Sequence, residues 1–181
     1  MFTMKDLSRV LPELKGLKRP AIFSPSKSES AYKLSKMGSQ FRGHAIEKMV
    51  RDGLLKKHKT SYHGGSHSHD ITLNKDVRIE VKSALATPLV SSRTKKITRY
   101  KFSFKHVQLS KFDILFLVYV TPNGPKVRWM TKATAREFVG NHRSKASQID
   151  VTTSSFRNLE GTAWKKLKMP VARKKKQKAK G

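Results

Sequence analysis

Residues 69–83 have the sequence HDITLNKDVRIEVKS, and this stretch decides the predicted fold. Apolar and polar residues alternate on both sides of Asn74-Lys75-Asp76, with the period of two that is typical of half-buried strands. The three polar residues between the two runs suit the turn of a hairpin. The sequence therefore predicts two adjacent strands, Asp70–Leu73 and Val77–Ser83.

The second strand of this hairpin carries an acid and a base on one face. Side chains alternate along a strand, so Glu80 and Lys82 share one face while Ile79 and Val81 share the other. We expect the apolar pair to face the core and the charged pair to lie at the working surface of the sheet. On the neighbouring strand, the carboxylate of Asp70 can then approach that of Glu80.

Two carboxylates placed in this way repel each other unless a cation lies between them. Mg²⁺ is a hard, oxygen-seeking ion that binds through one or two carboxylates together with waters and phosphate oxygens. The sequence therefore predicts a Mg²⁺ site formed by Asp70, Glu80 and the backbone carbonyl of Val81, with Mn²⁺ as an alternative ion. Lys82 is then placed to orient an attacking water and to neutralise charge that develops on a phosphate.

A fourth group of the site, and its third acid, is expected from the helix that precedes the hairpin. Leu34, Met37, Phe41, Ala45 and Met49 recur at spacings of three and four, which predicts helical structure from about Ser28 to Leu55. Ser28 or Ser30 can cap it, and Gly38 predicts a break. Glu47 on this helix is the candidate catalytic acid, and the nearby Asp52 is the alternative.

Asp and Glu are rare in this chain, so acids that lie close together in the predicted fold indicate a function. The chain has 181 residues with 40 Lys and Arg against 12 Asp and Glu, a net charge of +28. Such an excess repels itself and is better tolerated beside a polyanion, and nucleic acid is the leading partner because binding phosphates releases condensed counterions. An anionic membrane surface is a weaker alternative, because no long basic amphipathic helix is evident.

The absence of cysteines and of long apolar runs restricts the class of protein further. There are no cysteines, which excludes disulfides, thiol catalysis and cysteine-ligated zinc. No apolar run is long enough to span a membrane, and the N-terminus lacks the apolar segment of a secretory signal. We expect an intracellular protein of cytoplasm, nucleoid or nucleus, with a phage or mobile-element origin left open.

The rest of the chain predicts one mixed sheet with helices. Residues 86–100 are rich in Ser, Thr and Lys and are predicted to be a loop. Later strands are predicted around Phe102 and Phe104, over Ile114–Val120 and over Val127–Met130. Residues 141–170 are predicted to be irregular, with Phe156, Leu159 and Trp164 as anchors.

A last helix is predicted from the capping-box spacing of Thr134 and Glu137, with Gly140 at its end. The order of elements predicts an α/β or α+β domain over 28–170, with a basic N-terminal arm over 1–27 and a disordered basic tail over 171–181.

The hairpin and the acid-bearing helix together resemble the PD-(D/E)XK nuclease superfamily. Asp70, nine intervening residues and then Glu80-Val81-Lys82, within the phrase Ile79-Glu80-Val81-Lys82-Ser83, resemble its sheet motif, with His69 where the name-giving proline would stand. Gly43-His44-Ala45-Ile46-Glu47 resembles the first helix of its Holliday-junction-resolvase and restriction-enzyme branches. The resemblance spans residues 38–139. It implies an α/β, restriction-endonuclease-like core and a Mg²⁺-dependent DNA endonuclease that leaves a 5′-phosphate.

By the same resemblance Asp70 and Glu80 would bind metal, Lys82 would assist catalysis, and Glu47 would complete the site. Double-stranded or branched DNA is the implied substrate, and a homodimer remains open because one site cuts one strand. Two alternatives stand beside this hypothesis: a Holliday-junction resolvase, and a non-catalytic basic nucleic-acid-binding protein in which the carboxylates only form salt bridges.

Several polar residues are candidates for contact with DNA. Hydroxyl groups and cations suit phosphate contacts, and we predict such contacts for Ser83, Arg93, Lys95, Lys96 and Arg99. Asp113 is predicted to cap an element or to pair with a lysine, outside the active site. The histidines His58, His63, His67 and His69 favour a polar loop beside a phosphate-binding cleft over a zinc site, since no partner pair completes a tetrahedral set.

Overall fold

The computed structural model describes residues 22–56, 58–63, 69–139 and 147–159. Along this part of the chain two helices come first, seven strands follow, and a third helix and an eighth strand come last, with a π-helical turn over Val50–Leu54 and a 3₁₀ turn over Phe156–Leu159. The helices are α1 (Glu29–Lys36), α2 (Ser39–Met49) and α3 (Lys132–Phe138). The strands are β1 (Thr60–Tyr62), β2 (Ile71–Leu73), β3 (Val77–Leu85), β4 (Thr87–Val90), β5 (Ile97–Val107), β6 (Ile114–Thr121), β7 (Gly124–Thr131) and β8 (Ser147–Thr153).

The strands of the described residues form two sheets. The first has five strands in the order β1-β2-β3-β6-β7, and the second has three in the order β4-β5-β8. Within the first sheet β3 and β6 are parallel, and the other neighbouring pairs are antiparallel. The described residues therefore have an α/β fold with a mixed central sheet, which confirms this part of the prediction.

The core lies around β6, because both faces of this strand are covered. Every residue of β6 is buried. On one face the ring of Tyr119 contacts Phe102 and Phe104 of β5, with centroid separations of 5.1 and 5.0 Å. Each of these buried phenylalanines contributes roughly 1.5–3 kcal/mol through the area removed from water. Helices α1 and α3 also pack against β6, whereas α2 packs against β3.

The predicted hairpin is confirmed by the pairing of β2 with β3. Ile71 is opposite Ile79 and Leu73 is opposite Val77. The turn places both Asn74 and Lys75 at positive φ, 49° and 74°, as in the primed turns whose twist matches a hairpin. The predicted strands over Phe102–Phe104, Ile114–Val120 and Val127–Met130 are also confirmed, within β5, β6 and β7.

The predicted break near Gly38 separates α1 from α2. The side chain of Ser28 caps α1 by accepting a hydrogen bond from Ala31 N at 3.3 Å, as predicted. Phe41 was expected on the apolar face, and this was wrong, because its side chain is 55% exposed. The break shifts the helical phase, so that Arg42, Ala45 and Ile46 provide the buried face of α2.

Three other expectations about elements were wrong. Residues 86–100 form most of a hairpin, β4 and the start of β5, rather than a loop, because Ser, Thr and Lys are compatible with strands when long-range pairing supplies the partner. Part of 141–170 is the regular strand β8, which pairs with β5. The last helix begins after Thr131, whose hydroxyl accepts a hydrogen bond from Thr134 N at 3.3 Å, so the cap lies three residues before the predicted position.

The predicted anchors and the predicted N-terminal arm lie partly within the described residues. Leu159 is buried and Phe156 packs against the core, as predicted. Phe23, in the predicted N-terminal arm, is buried in the core. Residues 1–21, His67, Gly140, Trp164 and the basic tail over 171–181 lie outside the described residues. Among the helices of the described part, none is long and apolar enough to cross a membrane.

Candidate active site

Asp70 immediately precedes β2 and is held at the point where β2 and β3 stop pairing. Its backbone N–H donates to Ile79 O at 3.1 Å. Its side-chain Oδ2 accepts a hydrogen bond from Val81 N at 2.7 Å. Continuing the register of Ile71 and Ile79 by one residue places Asp70 opposite Glu80. The sheet therefore fixes this carboxylate beside the charged face of β3.

Glu80 is a buried acid in the middle of β3. Its exposure is 7%, although the alternation of residues predicted an accessible surface for it. The pleat does place Glu80 and Lys82 on one face, and the Lys82 ammonium forms an ion pair with Glu80 Oε1. The Lys82 side chain is 23% exposed. Burial makes this pair different from a solvated surface pair, because removing either partner would leave a charge in a medium of low dielectric.

The environment of Asp70 disfavours its charged form. Burial is the first cause and the negative charge of Glu80 is the second, and together they raise the pKa of Asp70 to about 7. The charge of Glu47 acts in the same direction, while the Val81 N–H and the Lys82 ammonium oppose the shift. Two carboxylates and a third acid thus influence one another across a small buried region, and a cation would relieve their repulsion.

The backbone of Val81 faces the same edge of β3 as Asp70. The carbonyl of Ile79 accepts from Asp70 N, and residues two apart on a strand present their backbone groups to the same side. The Val81 N–H already donates to Asp70 Oδ2. The Val81 carbonyl therefore points toward the edge at which Asp70 lies, consistent with the role predicted for it.

Glu47 of α2 is brought to the site together with two residues that the sequence did not single out. Tyr62 OH donates to Glu47 Oε2 at 2.8 Å, and His44 Nδ1 lies 3.1 Å from Tyr62 OH and 3.3 Å from the same Glu47 oxygen. Because the tyrosine hydrogen is directed at Glu47, the contact between His44 and Tyr62 requires a hydrogen on Nδ1. Glu47 itself is 9% exposed, so these donors satisfy a buried carboxylate.

The π-helical turn that ends α2 completes this network. It places the Arg51 guanidinium over the ring of Tyr62 at 5.2 Å, while Arg51 also forms an ion pair with the exposed Asp52. Burial and the hydrogen bond to Glu47 raise the pKa of Tyr62 well above its usual range. The tyrosine therefore stays a neutral donor. Asp52 is engaged by Arg51, so Glu47 is the acid of this helix that acts on Asp70.

A signal for His44 was present in the sequence, since it lies three residues before Glu47 and such pairs meet on a helix. Tyr62 offered no comparable signal. It lies in a three-residue strand, and only the pairing of Tyr62 with Ile71 brings it to the helix.

The donor set of the site is made of oxygen atoms, as Mg²⁺ prefers. Asp70 and Glu80 supply carboxylates and Val81 supplies a carbonyl, and Mg²⁺ typically binds through one or two carboxylates plus waters and substrate phosphates. Within the described ranges, no three or more His, Asp or Glu side chains form a group that could hold a metal by themselves. The residues present thus fit an ion that shares its coordination with substrate and water.

The predicted DNA contacts are distributed over two places. Ser83 lies on β3 one residue after Lys82, so alternation directs it to the opposite face of the sheet. Arg93, Lys95, Lys96 and Arg99 are exposed at the end of the β4–β5 hairpin. The structure therefore does not bring the four cations and Ser83 into one cluster.

Two of the predicted loop histidines are held by one threonine. His63 Nε2 and His69 Nε2 each lie 2.7 Å from Thr72 Oγ1, and their rings meet edge to face at 5.0 Å. These contacts hold His69, which directly precedes Asp70, against Thr72 of β2. Asp113 is paired with Arg78 rather than with a lysine, which corrects the predicted partner.

In comparisons with known proteins, no protein-family model and no curated protein matches the chain.

Proposed function

We propose that the protein is a metal-dependent DNA endonuclease with a restriction-endonuclease-like core. The observation that supports this most strongly is the pKa of about 7 for Asp70, produced beside a buried Glu80 that is paired with Lys82. A strongly perturbed acid with a specific charged neighbour is typical of functional sites. A purely structural carboxylate would gain from a cationic partner instead.

In this proposal Asp70, Glu80 and the Val81 carbonyl hold the ion. Bound there, Mg²⁺ would supply positive charge at the scissile phosphate and make an attacking water more acidic. The Val81 N–H keeps the Asp70 carboxylate in one orientation through its 2.7 Å bond to Oδ2, and Oδ1 would be the oxygen available to an ion.

Lys82 contributes a positive charge that the fold holds in place. Its ion pair with Glu80 restrains a side chain that otherwise has high rotamer entropy. When a phosphate enters, the ammonium is positioned to neutralise the charge that develops on its oxygens. Such a preorganised charge stabilises the transition state more than the bound substrate, which is the condition for catalysis.

Glu47 is the group that would accept a hydrogen bond from the attacking water. Tyr62 and His44 both contact Oε2, so this oxygen is fixed from outside the site. The other oxygen, Oε1, lies over Gly43, where an added Cβ would be 3.7 Å from it. Glu47 is therefore oriented by its neighbours and keeps one oxygen for a ligand.

The net charge of +28 supports a polyanionic substrate. Lys and Arg outside the site would provide affinity that is independent of sequence and that falls steeply with salt. In this proposal the excess of Lys and Arg residues binds DNA, and the few acids of the site support hydrolysis of the phosphodiester bond.

The decisive experiment is relaxation of supercoiled plasmid by the purified full-length protein, with Mg²⁺, with Mn²⁺ and with a chelator. We expect nicking with either metal and none with the chelator, and a linear duplex and a four-way junction compared side by side would separate a general cutter from a resolvase. Binding of DNA without nicking of any of these substrates in either metal would reject the enzyme and favour the non-catalytic nucleic-acid-binding protein.

A further inference from the structure

The end of the β4–β5 hairpin carries an exposed apolar group. Leu89 is 37%, Val90 55% and Ile97 43% exposed. Val90 and Ile97 are directly opposite each other, so their side chains lie together on one face of the hairpin. Among the described residues these three account for most of the large apolar side chains that remain exposed, the others being Phe41 and Phe138. We call Leu89, Val90 and Ile97 the hairpin tip.

The backbone around the hairpin tip is held by its own hydrogen bonds. Ser91 N donates to Lys96 O at 2.9 Å, and Lys95 N donates to Ser91 O at 2.9 Å. Where the register shifts between Leu89 and Val90, the Thr98 hydroxyl donates to Leu89 O at 3.2 Å. The tip is therefore presented in a defined conformation, which lowers the entropy cost of inserting it into a partner.

Four cations surround the hairpin tip. Arg93, Lys95, Lys96 and Arg99 are all exposed, and none of them forms an ion pair with another described residue. The sequence has no Asp or Glu between Glu80 and Asp113. The apolar group thus lies in a strongly positive field. A second copy of the chain would bring the same four cations against each other, which disfavours a symmetric dimer through this surface.

The β4–β5 hairpin directly follows β3, the strand that carries Glu80 and Lys82 of the proposed active site. β3 ends at Leu85 and β4 begins at Thr87. The register pairs Glu80 with Leu115 and Ala84 with Tyr119, so alternation puts Glu80 and Lys82 on the face of the sheet that β5 covers at Tyr119. The chain from Lys82 to Val90 can span at most about 29 Å, and this length corresponds to about eight base-pair steps along a duplex.

We infer that the hairpin tip is a wedge that enters a groove of the DNA and unstacks a base step while the surrounding cations bind the adjacent phosphates. Apolar side chains used in this way separate stacked bases and bend the duplex, and the cost of unstacking is offset by the additional contacts. This inference rests on the proposed function, because it requires DNA as the substrate. It adds that the protein distorts DNA within about eight base pairs of the bond that is cut.

The test uses short duplexes, each with a single 2-aminopurine at one step, and the full-length protein in the presence of a chelator so that no cleavage occurs. Saturating protein should raise the 2-aminopurine fluorescence, which reports loss of stacking. The double variant Val90→Ser with Ile97→Ser should bind with a similar Kd and the same salt slope but lose the fluorescence increase. Phe138→Ser, which removes an exposed apolar side chain elsewhere, should retain it.

A second variant separates the unstacking attributed to the hairpin tip from the phosphate binding attributed to the surrounding cations. Arg93→Gln with Lys96→Gln should reduce the slope of log K against log salt by about 0.9 for each cation removed and still give the full fluorescence increase at saturation. Tight DNA binding by the wild type with unchanged fluorescence at every labelled step would overturn the wedge and leave the nuclease proposal standing. Absence of DNA binding would reject the proposed function itself. A dimer in sedimentation that becomes a monomer in the Val90→Ser, Ile97→Ser variant would identify the tip as a subunit interface and overturn the inference.

Discussion

Asp70 and Asp113 both lie beside β3, and their surroundings are opposite in character. The Asp113 carboxylate accepts hydrogen bonds from Arg78 N at 3.0 Å and from the Arg78 guanidinium at 3.1 and 3.2 Å. This arginine holds the pKa of Asp113 below its usual range. Asp70 has one backbone donor, Val81 N, and faces Glu80, and its pKa is raised to about 7.

The contrast separates an acid that stabilises the fold from one that costs stability. Asp113 favours the folded state while it is charged, because folding supplies its counterion. Asp70 loses hydration on folding and gains a like-charged neighbour, so its charged form is disfavoured in the folded state. In the proposed function a cation would relieve this cost, which is why the proposed site is assigned to Asp70 rather than to Asp113.

Exchanging each acid for its amide gives the largest expected difference. Asp70→Asn should lower Mg²⁺-dependent nicking by on the order of 10²–10³-fold, the range found when one preorganised charge-stabilising group is removed. Asp113→Asn should leave nicking within a few-fold of wild type, because Asp113 lies outside the proposed site. The measurement is the initial rate of plasmid nicking, with filter binding in a chelator to show that DNA affinity persists.

An Asp70→Asn protein that cuts at the wild-type rate while Asp113→Asn is inactive would reverse the assignment. Parallel loss of DNA binding and nicking in Asp70→Asn would instead give that residue a structural role. The amide can still accept the hydrogen bond from Val81 N, so the local backbone should be retained.

The two cations that accompany these acids provide the next comparison. Lys82→Gln should reduce nicking by about 10²-fold, through loss of a charge beside the phosphate, with little change in DNA affinity because one cation among 40 is removed. Arg78→Gln should leave nicking unchanged and lower the free energy of unfolding by at most about 1 kcal/mol, since the pair with Asp113 is partly exposed. Nicking rates and urea denaturation of both variants measure the difference. Equal nicking by Lys82→Gln and wild type would remove Lys82 from the mechanism.

The approach of Asp70 to Glu80 could be predicted from sequence because both residues belong to a regular hairpin. Alternation over β3 places Glu80 and Lys82 on one face, and the turn at Asn74-Lys75 fixes the register that brings Asp70 opposite Glu80. The buried strand β6 was equally evident, because a continuous apolar run has few other locations. These signals are local, and the fold preserves them.

The features that were missed depend on contacts between distant segments. The β4–β5 hairpin resembled a loop in composition, and it is stabilised by the pairing of β5 with β8 and by Phe102 and Phe104 against Tyr119. Tyr62 reaches Glu47 only because a three-residue strand pairs with β2. The burial of Glu80 also follows from tertiary packing, which alternation alone does not specify.

Tyr62 allows the support of the site to be tested apart from its acids. Tyr62→Phe keeps the ring under Arg51 and removes the hydroxyl that donates to Glu47. A hydrogen bond to a charged group contributes about 1.5–3 kcal/mol, and partial compensation by His44 should limit the fall in kcat to about tenfold with KM unchanged. Tyr32→Phe, on α1, is the matched control and should have no effect. A change in KM with constant kcat would place Tyr62 in DNA binding rather than in the orientation of Glu47.

The pH dependence of stability gives the smallest expected effect and the sharpest contrast in sign. For Asp70 the folded-state pKa of about 7 lies above the usual value of 3.8, so the folded protein binds the extra proton between these limits and stability falls as pH rises through them. Asp113 has the opposite shift, so its contribution to stability is present at neutral pH and is lost as pH falls below about 4.

In metal-free buffer, Asp70→Asn should therefore gain stability over wild type progressively from pH 4 to pH 8, and Asp113→Asn should lose stability at pH 7 and approach wild type in acid. Solvent screening reduces each effect to on the order of 1 kcal/mol, measurable by urea denaturation across this range. Parallel rather than opposite profiles would show that the two acids occupy equivalent environments, and the distinction between a structural and a functional carboxylate beside β3 would fail.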